Sequence, residues 1–268
     1  LNDESVLKLA AGLNQEGTKQ LQNLFGEQIL EYPKPISLLK SLTAAATSSD
    51  CSIILDFFAR SCTTAQAVLE LNREDGGNRR FIMVQLPEPT SNSQFPTIAD
   101  IGRERIRRVI QKMSAEQNGK LPLDEREAPE DLGFRAFRLA ESNFEAWDGA
   151  IAAGDETRLE EQIAMRVEHV RAGRTREDLL YEIVIRCGVP LTAPVEEREA
   201  AGVPYYAVAD GVLFGCVADE VSAEALRAMI AEGQQQIVCL DSAFDGNDQV
   251  KTNMWLEARD RGVQFRTI

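Results

Sequence analysis

The stretch that most constrains this chain runs from Ser52 to Thr64: Ser-Ile-Ile-Leu-Asp-Phe-Phe-Ala-Arg-Ser-Cys-Thr-Thr. Its first half is a near-continuous apolar run, as expected of a central parallel strand buried on both faces. Its second half turns polar and then helical, with Thr63 and Thr64 as natural caps before Ala65–Leu71. Strand, tight turn and helix N-terminus together make the geometry of a nucleotide-type ligand site in an open α/β sheet. Such a turn ordinarily carries glycine. Here it carries Arg60 and Cys62.

The flanking sequence extends the pattern. Leu21, Leu24 and Phe25 form a short amphipathic piece ended by Gly26, and Glu31-Tyr32-Pro33-Lys34-Pro35 reads as extended because each proline disfavours helix before it. Pro35 suits the first helical position of a helix burying Ile36, Leu38, Leu39 and Leu42. A helix over Thr63–Asn72 precedes a turn at Glu74–Asn78 and a second buried strand over Arg80–Leu86, giving a βαβ unit. The helix Thr97–Met113 carries Arg103, Arg105, Arg107, Arg108 and Lys112 on a basic side, which suits either a solvated face or contact with an anionic partner.

Residues 114–132 read as a linker, Phe134–Leu139 as a strand by its alternation, and Glu156–Ala172 and Arg176–Arg186 as helices. From about Gly188 the pattern is that of a compact α/β domain. Asp210-Gly211 between two apolar runs marks a hairpin over Tyr205–Val217. Helices over Ser222–Ala231 and Asn247–Arg261 alternate with strands over Gln236–Leu240 and Val263–Ile268. The expected division is 1–115, 116–187 and 188–268.

Net charge is −14 over 268 residues, which argues against binding a polyanion with the whole surface. The imbalance is uneven: residues 79–112 hold seven Arg/Lys against three acids, so a local contact with DNA remains open. Five cysteines without a Cys-x-x-Cys spacing indicate neither a disulfide framework nor a zinc knuckle, and a reducing, cytoplasmic setting is expected. With one histidine, His169, in a charged stretch, a Ser-His-Asp site or a multi-histidine metal site is not expected. No signal peptide or membrane span is expected either. The chain starts at Leu1 rather than Met, as a piece of a longer sequence would.

Several stretches resemble one family. They are Glu31–Pro35, Leu55–Asn72, Glu74–Pro89, Thr97–Arg108 and the late run Asp241-x-Ala243-Phe244-x-Gly246-Asn247-Asp248-Gln249-x-Lys251-Thr252-Asn253. In this order, over residues 17 to 268, they resemble the modification subunit of type III restriction–modification systems. The late run also has a purely structural account, in which Asp245-Gly246 turns the chain and Asn247 caps a helix.

The resemblance implies an α/β fold: part of a Rossmann-like methyltransferase sheet followed by a smaller α/β C-terminal domain. It implies methyl transfer from S-adenosylmethionine to adenine N6 in duplex DNA, with the base taken out of the stack. Its implied partners are duplex DNA, a restriction subunit and a second modification subunit. On the same ground Lys34 and Pro35 border the methionine end of the cofactor. Asp56, Phe57, Phe58, Ala59, Ser61 and Thr63 form the cofactor motif, and Gln85 lies where a ribose-binding residue is expected. Arg103, Arg107 and Arg108 are the DNA-contact candidates.

Two departures bear on activity. The family pattern Phe-Ala-Gly-Ser-Gly-Thr-Thr has Arg60 and Cys62 in place of its glycines, so either Arg60 fills the cofactor space, pairing with Asp56, or it turns to solvent. Impaired cofactor binding is expected in both cases. The catalytic Asp-Pro-Pro-Tyr, which precedes the cofactor motif in the family, is absent, so no catalytic residue is assigned and the chain alone is expected to be inactive. A non-catalytic DNA-binding or assembly module is the alternative. A different nucleotide-binding α/β enzyme, such as an oxidoreductase, is weakened by the lack of a Gly-x-Gly-x-x-Gly turn.

Overall fold

The computed structural model describes residues 14–48, 52–118, 131–145, 170–232 and 235–268. They fall into two units, Leu1–Ala136 and Phe137–Ile268.

The first unit contains α1 (Asn14–Phe25), α2 (Ile36–Ala46), β1 (Ile53–Asp56), α3 (Thr63–Asp75), β2 (Arg80–Met83) and α4 (Ile98–Asn118). β1 and β2 pair in parallel from Ile53↔Arg80 to Asp56↔Met83, so the expected βαβ unit is present. Its core joins Ala59, Cys62, Ala65 and Leu69 to Ile106, Val109 and Met113 of α4, with Phe81 and Met83 packed against them. Residues on the other face of the same two strands point away from this core. Ile53, Leu55, Ile82 and Val84 are exposed, Leu55 by 57%. The expectation of a strand buried on both faces is therefore corrected: among the described residues, helices cover one face only. The alternation follows from the two-residue period of the pleat.

Other boundaries move too. Pro35 sits one place earlier than expected, as the N-cap of α2, and Ile36 donates its N–H to Gln20 Oε1 of α1 at 3.2 Å. Leu42 is exposed, whereas Ile36 is buried. Tyr32 has φ +52°, not the extended backbone expected before a proline. The chain bends at residues 30–32, and Pro33 and Lys34 then press on α1 so closely that a Cβ at Gly17 would lie 2.3 Å from Pro33 O. α3 runs on to Asp75 and closes at Gly76 with φ +73°. α4 continues to Asn118.

In the second unit, α5 (Arg176–Arg186), β3 (Val195–Ala200), β4 (Val203–Val208), β5 (Leu213–Cys216), α6 (Ala223–Ala231), β6 (Gln236–Cys239), α7 (Asp248–Asp260) and β7 (Gln264–Thr267) follow in order. The sheet order is β3-β4-β5-β6-β7, antiparallel through β5 and parallel thereafter. One face of the sheet, through Tyr205, Phe214, Ile237 and Phe265, packs with Leu226 and Met229 of α6 and Met254 of α7. The other, through Val208, Leu213 and Val238, packs with Leu180, Ile183 and Val184 of α5. Ser222 caps α6 by accepting from Ala225 N, and Asn247 caps α7 by accepting from Val250 N.

β3 goes beyond what the sequence pattern suggests. Its residues, Val-Glu-Glu-Arg-Glu-Ala, are those of a charged edge strand, and Ala201 and Gly202 (φ +47° and +80°) make its two-residue turn into β4. The strand expected over Phe134–Leu139 is absent: these residues have no regular structure. Their alternation reflects separate attachments, Phe134 on the first core and Phe137 edge-on to Tyr181 at 5.1 Å. Of the helix expected over Glu156–Ala172, residues 156–169 lie outside the described residues, and the last three are not helical.

Polar ties also position the βαβ unit. Buried Arg79 donates from Nη1 and Nη2 to the Asp75 carboxylate at 3.0 and 2.8 Å, and from Nε to Thr47 Oγ1 at 2.9 Å. The guanidinium hydrogen bonds hold the Asp75 carboxyl below its usual value of 3.8, against a smaller opposing effect of burial. That stabilisation is present above pH 3.8 and is lost as pH falls through the lowered pKa. Asp75→Asn is therefore expected to cost about 1 kcal/mol at pH 7, because the carboxylate is partly exposed. The deficit relative to the parent should shrink in urea melts at pH 3; an equal deficit at both pH values would contradict it.

Candidate functional site

The turn after β1 is built from backbone geometry that only a few residues adopt willingly. Arg60 and Cys62 both have left-handed φ, +44° and +54°. For a residue with a side chain this costs about 1–2 kcal/mol. Three sets of polar contacts hold the turn there. Asp56 Oδ1 accepts from Phe58 N at 3.1 Å and its Oδ2 accepts from Thr64 Oγ1 at 2.5 Å, joining the strand end to the first turn of α3. Gln85, just beyond β2, accepts from Arg60 N at 2.7 Å through Oε1. Arg105 of α4 donates from Nη1 to Ser61 Oγ at 3.0 Å and Thr63 Oγ1 at 2.6 Å.

Two expectations change here. Thr63 and Thr64 are not caps: the N-cap is Cys62, with no side-chain capping bond, and both threonines lie within α3. Their hydroxyls serve Arg105 and Asp56 instead. Of the alternatives for Arg60, the pairing with Asp56 is not formed. Its side chain is exposed, and among the described residues it forms no ion pair with Asp56.

Cys62 turns the other way. It is buried with 6% exposure, and burial pushes its thiol up to about 11, a shift that nearby Arg105 only partly offsets. The room it occupies faces Gly102 on α4. A Cβ at Gly102 would lie 2.7 Å from Cys62 Sγ and 3.1 Å from Arg60 O. The volume that glycine leaves empty within the turn is here left empty on the facing helix.

Of the remaining sequence candidates, Ala59 is buried and donates its N–H to Val84 O at 3.1 Å. Phe57 and Phe58 are exposed side by side, ring centroids 5.1 Å apart. Lys34 is exposed and Pro35 buried, and among the described residues neither is hydrogen-bonded to the turn. The structure thus brings together Asp56, Phe58, Ala59, Arg60, Ser61, Thr63, Thr64 and Gln85, and leaves Lys34 and Pro35 outside that network. Arg105, assigned by sequence to a basic side, is buried with 0% exposure. Only its helical phase relative to Ile101 and Val109 could have signalled this.

The basic side is correspondingly smaller. Arg103 pairs with Asp100 and Arg107 with Glu104 (3.8 Å), both arginines about half-exposed. Arg108 is tied to α1: it donates to Leu24 O at 3.2 Å, lies 4.4 Å over the Phe25 ring, and pairs with Glu104 at 2.8 Å. No group of three or more potential metal ligands occurs among the described residues, and no described helix is long and apolar enough to cross a membrane.

The StyLTI Mod subunit of Salmonella typhimurium (strain LT2) is 41% identical over 133 residues, 47% of this chain and 19% of that protein. The EcoP15I Mod subunit of Escherichia coli is 26% identical over 269 aligned residues, 94% of this chain and 38% of that protein. The EcoPI Mod subunit of Escherichia phage P1 is 26% identical over 80% of this chain. This chain is a homologue of type III restriction–modification Mod subunits. It spans less than two fifths of the length of these curated relatives. A type II methyltransferase, M.KpnI of Klebsiella pneumoniae, is 33% identical over 35% of the chain. No protein-family model matches it.

The turn makes two predictions. Because the Arg60 side chain is exposed while its backbone is strained, Arg60→Gly should raise stability by about 1 kcal/mol in denaturant unfolding. A fall in stability would show that the side chain contributes something the described contacts do not reveal. Gly102→Ala should cost about 1–3 kcal/mol by overpacking, and most of that loss should vanish in a Cys62→Gly background. Additive losses in the double-mutant cycle would refute the interlock.

Proposed function

We propose that this chain is the cofactor-binding and C-terminal portion of a DNA adenine-N6 methyltransferase subunit of a type III restriction–modification system. On this reading the first unit is part of a Rossmann-like sheet, with residues 1–115 carrying the cofactor motif and 188–268 forming the C-terminal α/β domain. S-adenosylmethionine occupies the end of β1. Phe57 and Phe58 line its pocket, and the N-terminus of α3 offers N–H groups and the positive end of a helix dipole to its carboxylate. Lys34 and Pro35 border the methionine end. Gln85 Oε1 is bonded to Arg60 N, which leaves its Nε2 to donate to the ribose with the N–H that Leu86 O does not take.

The observation that carries the reading is the turn itself. Arg60 and Cys62 keep the left-handed backbone suited to glycine, with one side chain in solvent and the other in the core. On this reading both side chains leave the cofactor space open, and binding is weakened rather than abolished. Catalysis belongs to the longer polypeptide, since the Asp-Pro-Pro-Tyr motif is absent from these 268 residues. Duplex DNA, a restriction subunit and a second modification subunit are its partners, in the cytoplasm. Arg103 and Arg107 are the better DNA-contact candidates, because Arg108 is committed to α1.

A second reading, a non-catalytic DNA-binding or assembly module, is favoured by one observation: both carboxylate oxygens of Asp56 and the Oε1 of Gln85 are already used within the turn. Calorimetry decides between the two. The cofactor reading expects S-adenosylmethionine to bind, and to bind more tightly once Arg60 and Cys62 are both replaced by glycine. Titrations silent for both proteins would favour the module. Methylation of duplex DNA by the chain alone should stay at background. Neutralising Arg103 and Arg107 should reduce the salt dependence of DNA binding by roughly one unit of slope for each phosphate that is no longer neutralised.

A further inference from the structure

Arg105 poses a chemical question that the fold does not answer. Its guanidinium is fully buried, yet its hydrogen-bond acceptors are all uncharged: Gln66 Oε1 at 2.8 Å from Nε, and Ser61 Oγ (3.0 Å), Ser61 O (3.4 Å) and Thr63 Oγ1 (2.6 Å) from Nη1. Nη2 is buried with no hydrogen-bond partner among the described residues. Burial pulls the group down to about 10, only partly offset by Cys62 and the Glu70 carboxylate, neither of which it hydrogen-bonds. A buried cation so poorly compensated is a weak device for stability, and a methionine or leucine would fill the same space at lower cost. What an apolar side chain lacks is the fork of donors.

That fork acts at one place. Ser61 lies between the two left-handed residues Arg60 and Cys62, and is itself 1% exposed. Thr63 is the first residue of α3 and Gln66 lies one turn further on. Three side chains and one carbonyl, spread over six residues, are gathered on one guanidinium from a different helix. The opposite side of the turn is held by Gln85 at Arg60 N and by Val84 O at Ala59 N.

We propose that Arg105 is the positioning residue of the cofactor turn: its buried guanidinium grips Ser61 and Thr63 on either side of left-handed Cys62 and sets the N-terminus of α3 before any ligand arrives. The proposal rests on the reading of this turn as the S-adenosylmethionine site. A lysine cannot replace the arginine here, because a single ammonium cannot reach Gln66 and Ser61 in the fixed geometry of a planar fork. The unsatisfied Nη2 belongs with this role. The guanidinium is oriented by the loop it holds and not by its own complete hydrogen bonding.

The test uses the full chain with Arg105→Met and Arg105→Lys. Hydrogen exchange without ligand follows the hydrogen-bonded amides of Ala59, Arg60, Cys62 and Gln66, alongside global unfolding and calorimetric titration with S-adenosylmethionine. Expected is at least a tenfold loss of protection confined to these amides in both variants, with Arg105→Met retaining its unfolding midpoint, as replacement of a buried charge by an apolar group allows. Affinity for S-adenosylmethionine should fall about tenfold in Arg105→Lys. Unchanged protection in Arg105→Met overturns the proposal. Should either variant unfold, Ser61→Ala and Thr63→Val remove the acceptors one at a time and must loosen the same amides; unaltered exchange in both would equally overturn it. A parent chain that binds no S-adenosylmethionine would defeat the cofactor reading, while the exchange result still decides whether Arg105 holds the turn.

Discussion

A carboxylate at the end of a strand, bonded to a hydroxyl in the first turn of the next helix, is the contact on which the first unit depends. Asp56 accepts from Thr64 and from Phe58 N, and these two bonds close the loop between β1 and α3 over eight residues. Without them the chain between the elements would have to find its path through backbone angles that side-chain-bearing residues avoid. With them, Arg60 and Cys62 hold such angles, and the helix N-terminus stands next to the strand end. The same carboxylate that a ligand-site reading assigns to the cofactor is thus first a structural tie.

The glycine pattern of the turn illustrates how a local rule is met by distant means. A glycine serves two purposes at such a position: freedom of φ and absence of volume. Freedom of φ is replaced by polar contacts that hold the strained conformation. Absence of volume is shifted across the core, from residue 62 to Gly102 on α4. Neither arrangement is visible from the turn's own sequence.

Much of the fold was legible in local chemistry. The βαβ unit, the Asp210-Gly211 hairpin and the caps at Ser222 and Asn247 follow from apolar runs, turn residues and capping side chains, all of which act within a few positions. What escaped were features decided by a partner far away in the chain. β3 is polar because it lies on an edge and its stability comes from β4, not from its own composition. Phe134 and Phe137 alternate like a strand but lie in no strand. Arg105 looked like its neighbours Arg103 and Arg107, and only Ser61 and Thr63, 44 and 42 positions earlier, reveal why it is inside. At the candidate site the sequence pattern singles out Asp56 and Gln85 but not their connections, which in the structure are to the turn itself.

The contact between Cys62 and Gly102 also has a historical side. A cysteine at position 62 crowds any side chain at position 102, whereas glycine at 62 would leave only the 3.1 Å approach to Arg60 O. The constraint is mutual: alanine at 102 makes cysteine at 62 costly, and cysteine at 62 makes alanine at 102 costly. Once cysteine is in place, position 102 is no longer free to vary. The two sites, forty residues apart, would then be inherited as one character.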